Sequence, residues 1–162
     1  MNRPGIEQRD GFFFLVGKFN EATSLTAIEA CTTYPIKLNL EEFEGVTSIA
    51  SKRLGDLIRN KGEQNFEFYD CPTHFIWTIN VIPRLIGRSR PERVKSFSMP
   101  FVCSDCSHKG DILIASKEVK FVGSQILMPA KTCEKCQGVF KPEVDLHEFF
   151  LYVIEAVEAK AS

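Results

Sequence analysis

The sequence predicts an α/β unit, then a small β-rich module, then a terminal helix. Three observations carry that expectation. Short apolar strand patterns alternate with helical ones over 11–87, the rhythm of an α/β unit. Two C-x-x-C pairs then bracket a run of short strand-like segments, and an apolar stripe at helical spacing closes the chain over 143–160. The 162 residues suffice for one ordinary domain or two small ones. The composition divides them into 1–88 and 89–162, with Gly87 to Pro91 (GRSRP) as linker.

Gly11 to Phe19 is aromatic-rich and reads as a strand. Asn20 to Ala30 opens on a cap-like Asn20, carries Leu25 and Ile28, and reads as a helix that Tyr34-Pro35 stops. Ile36 to Leu40 alternates, with Ile36, Leu38 and Leu40 on one face of a strand. A loop follows over 41–48. Ser51 to Asn60 places Leu54, Leu57 and Ile58 at helical spacing before Lys61-Gly62 ends it. Asn65 to Tyr69 is a further strand, Asp70-Cys71-Pro72 a turn, and Thr73 to Ile82 an apolar helix closed by Pro83. Strand-like runs recur over 94–102, 111–116 and 119–126. Glu143 to Lys160 is a helix whose stripe of Leu146, Phe149, Phe150, Val153, Ile154 and Val157 needs a partner, either this chain's own core or another surface.

Four of the six cysteines form the pairs Cys103/Cys106 and Cys133/Cys136, separated by 26 residues. Two residues between cysteines let a tight turn aim both sulfurs at one point, so the spacing reads as a structural tetrathiolate zinc site. Four thiolates leave no open position for a reacting water. The alternatives are disulfides, a redox pair or an iron–sulfur centre. Asp105 and His108 are near enough in sequence to replace a cysteine as ligand. Gly110 and Gly138 are expected to supply positive-φ turns beside the metal. Cys31 and Cys71 read as small buried hydrophobes.

The segment IKLNLEEFEGVTSIASKRLGDLI resembles the central strand–loop–helix of STAS domains, the family of anti-sigma factor antagonists and sulphate-transporter tails. NFEFYDCPTHFIWTINVIPRL is similar to the following strand and helix, and GFFFLVGKFNEATSL to the opening ones. DCPTHF, SMPFVCSDC, CEKC and HEFFLYV together resemble the layout of a group of bacterial STAS-like proteins. The resemblance implies a cytoplasmic protein–protein interaction module in bacterial signalling, with an anti-sigma factor or kinase-like regulatory partner. It implies a partner surface at Thr47, Ser48, Ser51, Lys52, Arg53 and Leu54. The family's Asp-Ser-Ser-Gly reads here as Ala50-Ser51-Lys52-Arg53, so lysine stands at the phosphoacceptor position. Ser51, Ser48 and Thr47 remain as phosphoacceptors, or as caps of the helix.

Composition excludes several classes. Twenty Lys+Arg against 21 Asp+Glu give no global pull on nucleic acid or anionic membrane. No apolar run approaches the ~18 residues of a membrane span, and the first ten residues lack the apolar middle of a signal peptide. No phosphate-binding glycine loop or hydrolase elbow occurs, and no enzymatic activity is expected. His74 lies three residues after Cys71, which admits C-x-x-H ligation or a helix-turn side chain. Glu41, Glu42 and Glu44 read as a solvated loop. The alternative function is a nucleic-acid-associated zinc-ribbon protein using Arg84, Arg88, Arg90, Arg93 and Lys95, against which the neutral charge counts. A second copy of the chain is a further candidate partner. If the halves are independent modules, Cys103→Ser should unfold only the second.

Overall fold

The computed structural model describes residues 4–87 and 91–161. It is a mixed α/β structure with several sheets and five α-helices among those residues. Chain polarity begins with a hairpin. β1 (Gly5–Arg9) and β2 (Phe12–Phe19) pair antiparallel through Asp10-Gly11, both at positive φ (48° and 80°). Asp-Gly favours that two-residue turn because both central residues must be left-handed. β3 (Ile36–Asn39) lies parallel to β2, and β5 (Phe66–Tyr69) parallel to β3. β4 (Phe43–Val46) pairs with the last part of β2, past a register shift at Gly17/Lys18. The loop expected over 41–48 therefore holds a strand, and the expected first strand has a hairpin partner.

α1 (Thr26–Glu29) is one turn, not the helix expected over 20–30. Asn20 spends its side chain on a local turn instead, its Oδ1 accepting from the Ala22 N–H at 2.9 Å, the competition that makes asparagine a poor helix former. α2 (Ser48–Lys61) buries Ala50, Leu54, Leu57 and Ile58 against the sheet. α3 (Thr73–Val81) buries Phe75, Ile76 and Ile79, and Pro83 opens a short 3-10 turn after it. The Tyr34–Pro35 bond is cis.

The second half builds on β6 (Ser96–Cys103), in which Phe97, Met99, Phe101 and Cys103 alternate inward. β7 (Lys109–Ala115) pairs with it antiparallel on one side, and β11 (Val139–Pro142), joined to β10 (Lys131–Thr132), on the other. β8 (Lys120–Val122) and β9 (Gln125–Leu127) form a separate hairpin. The expected terminal helix is two pieces, α4 (Leu146–Phe149) and α5 (Leu151–Ala161), broken at Phe150. Asn80 of α3 meets the break. Its Nδ2 donates to the Glu148 and Phe149 carbonyls (2.9 and 3.2 Å), and its Oδ1 accepts from the Tyr152 N–H at 3.0 Å.

The division expected between 88 and 89 falls on Arg88, Ser89 and Arg90, outside the described residues. On either side of it the chain is stitched together. The Lys95 N–H donates to the Phe68 carbonyl (2.7 Å), Cys71 N–H to Ser96 (3.0 Å), and Ser98 N–H to Cys71 (2.8 Å). The start of β6 thus runs parallel along the edge of β5. Ser96 Oγ donates to Asp70 Oδ1 (2.7 Å), and Asp70 Oδ2 accepts from Asn39 Nδ2 (2.8 Å). One apolar cluster includes Phe13 and Leu38 of the first sheet, Phe97 and Phe101 of the second, and Phe149 of α4.

Candidate metal centre

The four patterned cysteines meet. The sulfurs of Cys103, Cys106, Cys133 and Cys136 all lie within 4.8 Å of one another. Cys103 and Cys136 are 3.4 Å apart, and Cys106 and Cys133 3.6 Å. A tetrahedron with Zn–S bonds of ~2.3 Å has edges of ~3.8 Å, so the donor set fits such an ion in size as well as chemistry. It is the only such cluster among the described residues.

Two turns with the same wiring aim the sulfurs. Cys103 ends β6, its N–H bound to the His108 carbonyl (2.8 Å) and its carbonyl to the Ser107 N–H (3.1 Å). Cys133 follows β10 and repeats this, its N–H on Gly138 and its carbonyl on Gln137, both at 2.9 Å. The register Phe140↔Cys103 between β11 and β6 brings the turns face to face. Cys103 and Cys133 are buried, while Cys106 and Cys136 are exposed.

The glycines do not do what the sequence suggests. Positive φ falls on Ser107 (57°) and Gln137 (62°), and neither Gly110 nor Gly138 adopts it. Gly138 instead leaves room for its neighbour: a Cβ there would lie 2.0 Å from Asp105 Oδ2. Asp105 thus packs across the facing turn, and His108 stacks on Phe140 (centroids 6.0 Å, interplanar angle 3°). Neither joins the sulfur cluster.

The four clustered thiols do not hold their protons equally. The backbone N–H of Cys106, with that of Asp105, lowers the Cys103 thiol to about 7. The Gly138 N–H pulls Cys136 down, but its neighbours Cys103 and Cys106 outweigh it and hold that thiol at about 12. Cys106 is also raised, despite the His108 N–H and Cys136, by burial and by Cys103 and Cys133. One charge is easily placed on the set and further ones repel it; a bound cation removes that penalty.

The residues expected at a partner surface are spread between core and solvent. Thr47 is the N-cap of α2, its Oγ1 accepting from the Ala50 N–H at 3.2 Å. Ser48 and Lys52 are exposed. Ser51 and Leu54 are buried, because the helix begins at Ser48 and its first turn already faces the sheet; they present nothing to a docking partner in this conformation. Ser51 Oγ donates to the Ser48 carbonyl (2.8 Å). Arg53 reaches back to the Glu21 and Thr23 carbonyls. Ile49, which the sequence did not single out, is 58% exposed beside Ser48 and Lys52.

The remaining candidates have local roles. Cys71 is fully buried, and His74 stacks on Phe43 (5.9 Å). Cys31 is half-buried, its thiol donating to the Thr33 carbonyl. Glu42 pairs with Arg9 at 2.7 Å, and Lys95 with Glu67 at 3.4 Å. Arg88 and Arg90 of the basic stretch lie outside the described residues. No described helix is long and apolar enough to cross a membrane. Comparison of the chain with protein-family models, with curated proteins and with solved structures gives no match.

Proposed function

We propose that this chain is a non-enzymatic protein–protein interaction protein whose cysteine tetrad holds one structural zinc ion. The observation that carries this reading is the closure of the donor set. Four thiols within mutual reach use every position of a tetrahedral ion, leaving none for substrate or water. The metal would tie β6 to β10–β11 and thereby fix the second sheet. The docking surface is the start of α2, where Ser48, Ile49 and Lys52 are exposed side by side. The resemblance of this stretch to STAS domains supports an anti-sigma-antagonist-like role in bacterial signalling.

Elemental analysis of the purified protein tests the metal. About one zinc per chain is expected, with four thiols becoming titratable on chelation. Iron, or cysteines already oxidised, would overturn the structural-zinc reading in favour of redox chemistry. For the docking surface, Ile49→Asp and Lys52→Glu should abolish capture of a regulatory partner while leaving the melting temperature unchanged. Undiminished capture by both variants would move the surface elsewhere.

A further inference from the structure

The four patterned cysteines are not equivalent toward solvent. In each turn the first is buried and the second exposed: Cys103 and Cys133 lie inside, Cys106 and Cys136 outside. The turns also meet crosswise. Each exposed sulfur stands close to the buried sulfur of the opposite turn, Cys136 to Cys103 at 3.4 Å and Cys106 to Cys133 at 3.6 Å. Sulfurs in a disulfide are ~2.05 Å apart, so each pair is about 1.5 Å of side-chain travel from a bond. The β6–β11 register at Cys103 and Phe140 keeps the turns facing one another, so the sulfurs do not hold this relation alone. The other two thiols serve as references within the same chain. Cys71 is fully buried, and Cys31 is half-buried with its thiol on the Thr33 carbonyl.

We propose that this centre is also an oxidation site, with Cys106 and Cys136 as the attacking sulfurs and Cys133 and Cys103 as the sulfurs that resolve them. This rests on the metal reading above, because a thiol that coordinates a cation has lost its proton and the thiolate is the nucleophile. The oxidant is a peroxide, which meets the two exposed sulfurs first. The Cys136 sulfur attacks one peroxide oxygen, the O–O bond breaks, and its electron pair leaves as hydroxide. Cys136 is then a sulfenic acid. The Cys103 sulfur attacks that sulfur, the S–S bond forms, and a second hydroxide is expelled. Cys106 and Cys133 repeat the sequence. Four thiolates and two peroxides thus give two disulfides and four hydroxides, and a bound cation is left without donors. The pairing has a structural consequence. Cys103–Cys136 and Cys106–Cys133 span 33 and 27 residues, so both bonds tie β6 to β10–β11 as the metal would. A bond within one C-x-x-C turn constrains the unfolded chain far less and ties no strand to another. Oxidation therefore exchanges one clasp for another, and the second sheet keeps its register.

Hydrogen peroxide added to the full chain, purified with reductant and then freed of it, tests this. Zinc reaching a chromogenic chelator is followed against a peroxide-free control. One zinc should leave for every two peroxides consumed, at least about tenfold faster than the Cys31 thiol is lost from the same chain. Disulfides are then mapped after alkylation. Trypsin cuts between Lys135 and Cys136, and cleavage before Asp105 separates Cys103 from Cys106, so each pairing gives its own peptides. Cys103–Cys136 and Cys106–Cys133 are expected, with Cys71 alkylated only after denaturation. The oxidised protein should melt above the chelated, reduced one. Any other pairing, within a C-x-x-C turn or between the two exposed sulfurs, would overturn the assignment of attacking and resolving sulfurs. A chain that keeps its zinc and its four thiols while Cys31 is oxidised would overturn the oxidation site and leave the zinc reading standing. A chain that holds no zinc yet forms the two cross-turn bonds would support the pairing and overturn the zinc reading.

Discussion

Single residues around the sulfur cluster carry sharp consequences. A methyl at Gly138 would displace the Asp105 carboxylate, which occupies the space it would fill. Gly138→Ala should therefore cost about 1–2 kcal/mol of stability. Adding Asp105→Ala should recover most of it, a coupling that a thermal-melt double-mutant cycle reads directly. Protonation gives a second test. Cys106 and Cys136 are held above their ordinary value of 9.0, so both keep their protons at neutral pH without metal. Binding must expel at least these two protons, and affinity must rise with pH. Competition titrations at pH 6, 7 and 8 should show a gain of at least about 100-fold per unit, the slope for two protons. A flat profile would contradict a tetrathiolate site. The fully buried thiol of the first half follows the opposite linkage. Cys71 is raised by burial and then by Asp70, so the stability it confers is complete below its unfolded value and declines as pH climbs above about 9.

At the scale of elements, the sequence was most readable where periodicity was strong and unopposed. α2, α3, β3 and β5 stand within a few residues of their expected bounds, because Leu54, Leu57 and Ile58, or Ile36 and Leu38, each had one face to bury. α1 shrank because Asn20 and Thr23 hydrogen-bond to their own turn, a local option that a count of apolar positions does not see. β1 was missed although Asp10-Gly11 signals its hairpin; its residues are polar, so no apolar alternation marked it. The terminal helix broke at Phe150 because Asn80, distant in sequence, satisfies the freed backbone groups. The four sulfur donors were legible from spacing alone, whereas the Ser107 and Gln137 conformations had no signature, since neither residue type announces positive φ. The start of α2 offers a test of its own. Thr47→Ala should cost about 1 kcal/mol through loss of the cap. Ser51→Asp should cost at least about 2 kcal/mol, since it buries a carboxylate beside Leu54. Ser48→Asp, exposed at the positive end of the helix, should be neutral or slightly stabilising. Urea melts of the three variants would rank them, and a tolerated Ser51→Asp would contradict the burial.

For the molecule as a whole, the join between the first sheet and β6 decides how it comes apart. Backbone hydrogen bonds from Lys95, Cys71 and Ser98 and the Asp70–Ser96 pair cross it, and Trp77 lies edge-on to Phe149 at 5.6 Å. Chelation should therefore lower a single transition seen alike by far-UV dichroism and by fluorescence of Trp77, the only tryptophan. Two transitions, with the first half unmoved by chelator, would mean independent modules. The same join has a consequence in time. β5 leaves the ribosome before β6 exists, so the nascent chain carries an uncovered strand edge and a Cys71 still open to solvent until the later segment arrives. An open edge recruits any extended chain that reaches it. Production of a fragment cut at residue 87 should accordingly yield inclusion bodies or strand-exchanged oligomers. Supplying the missing half in trans during translation should bring it back into the soluble fraction.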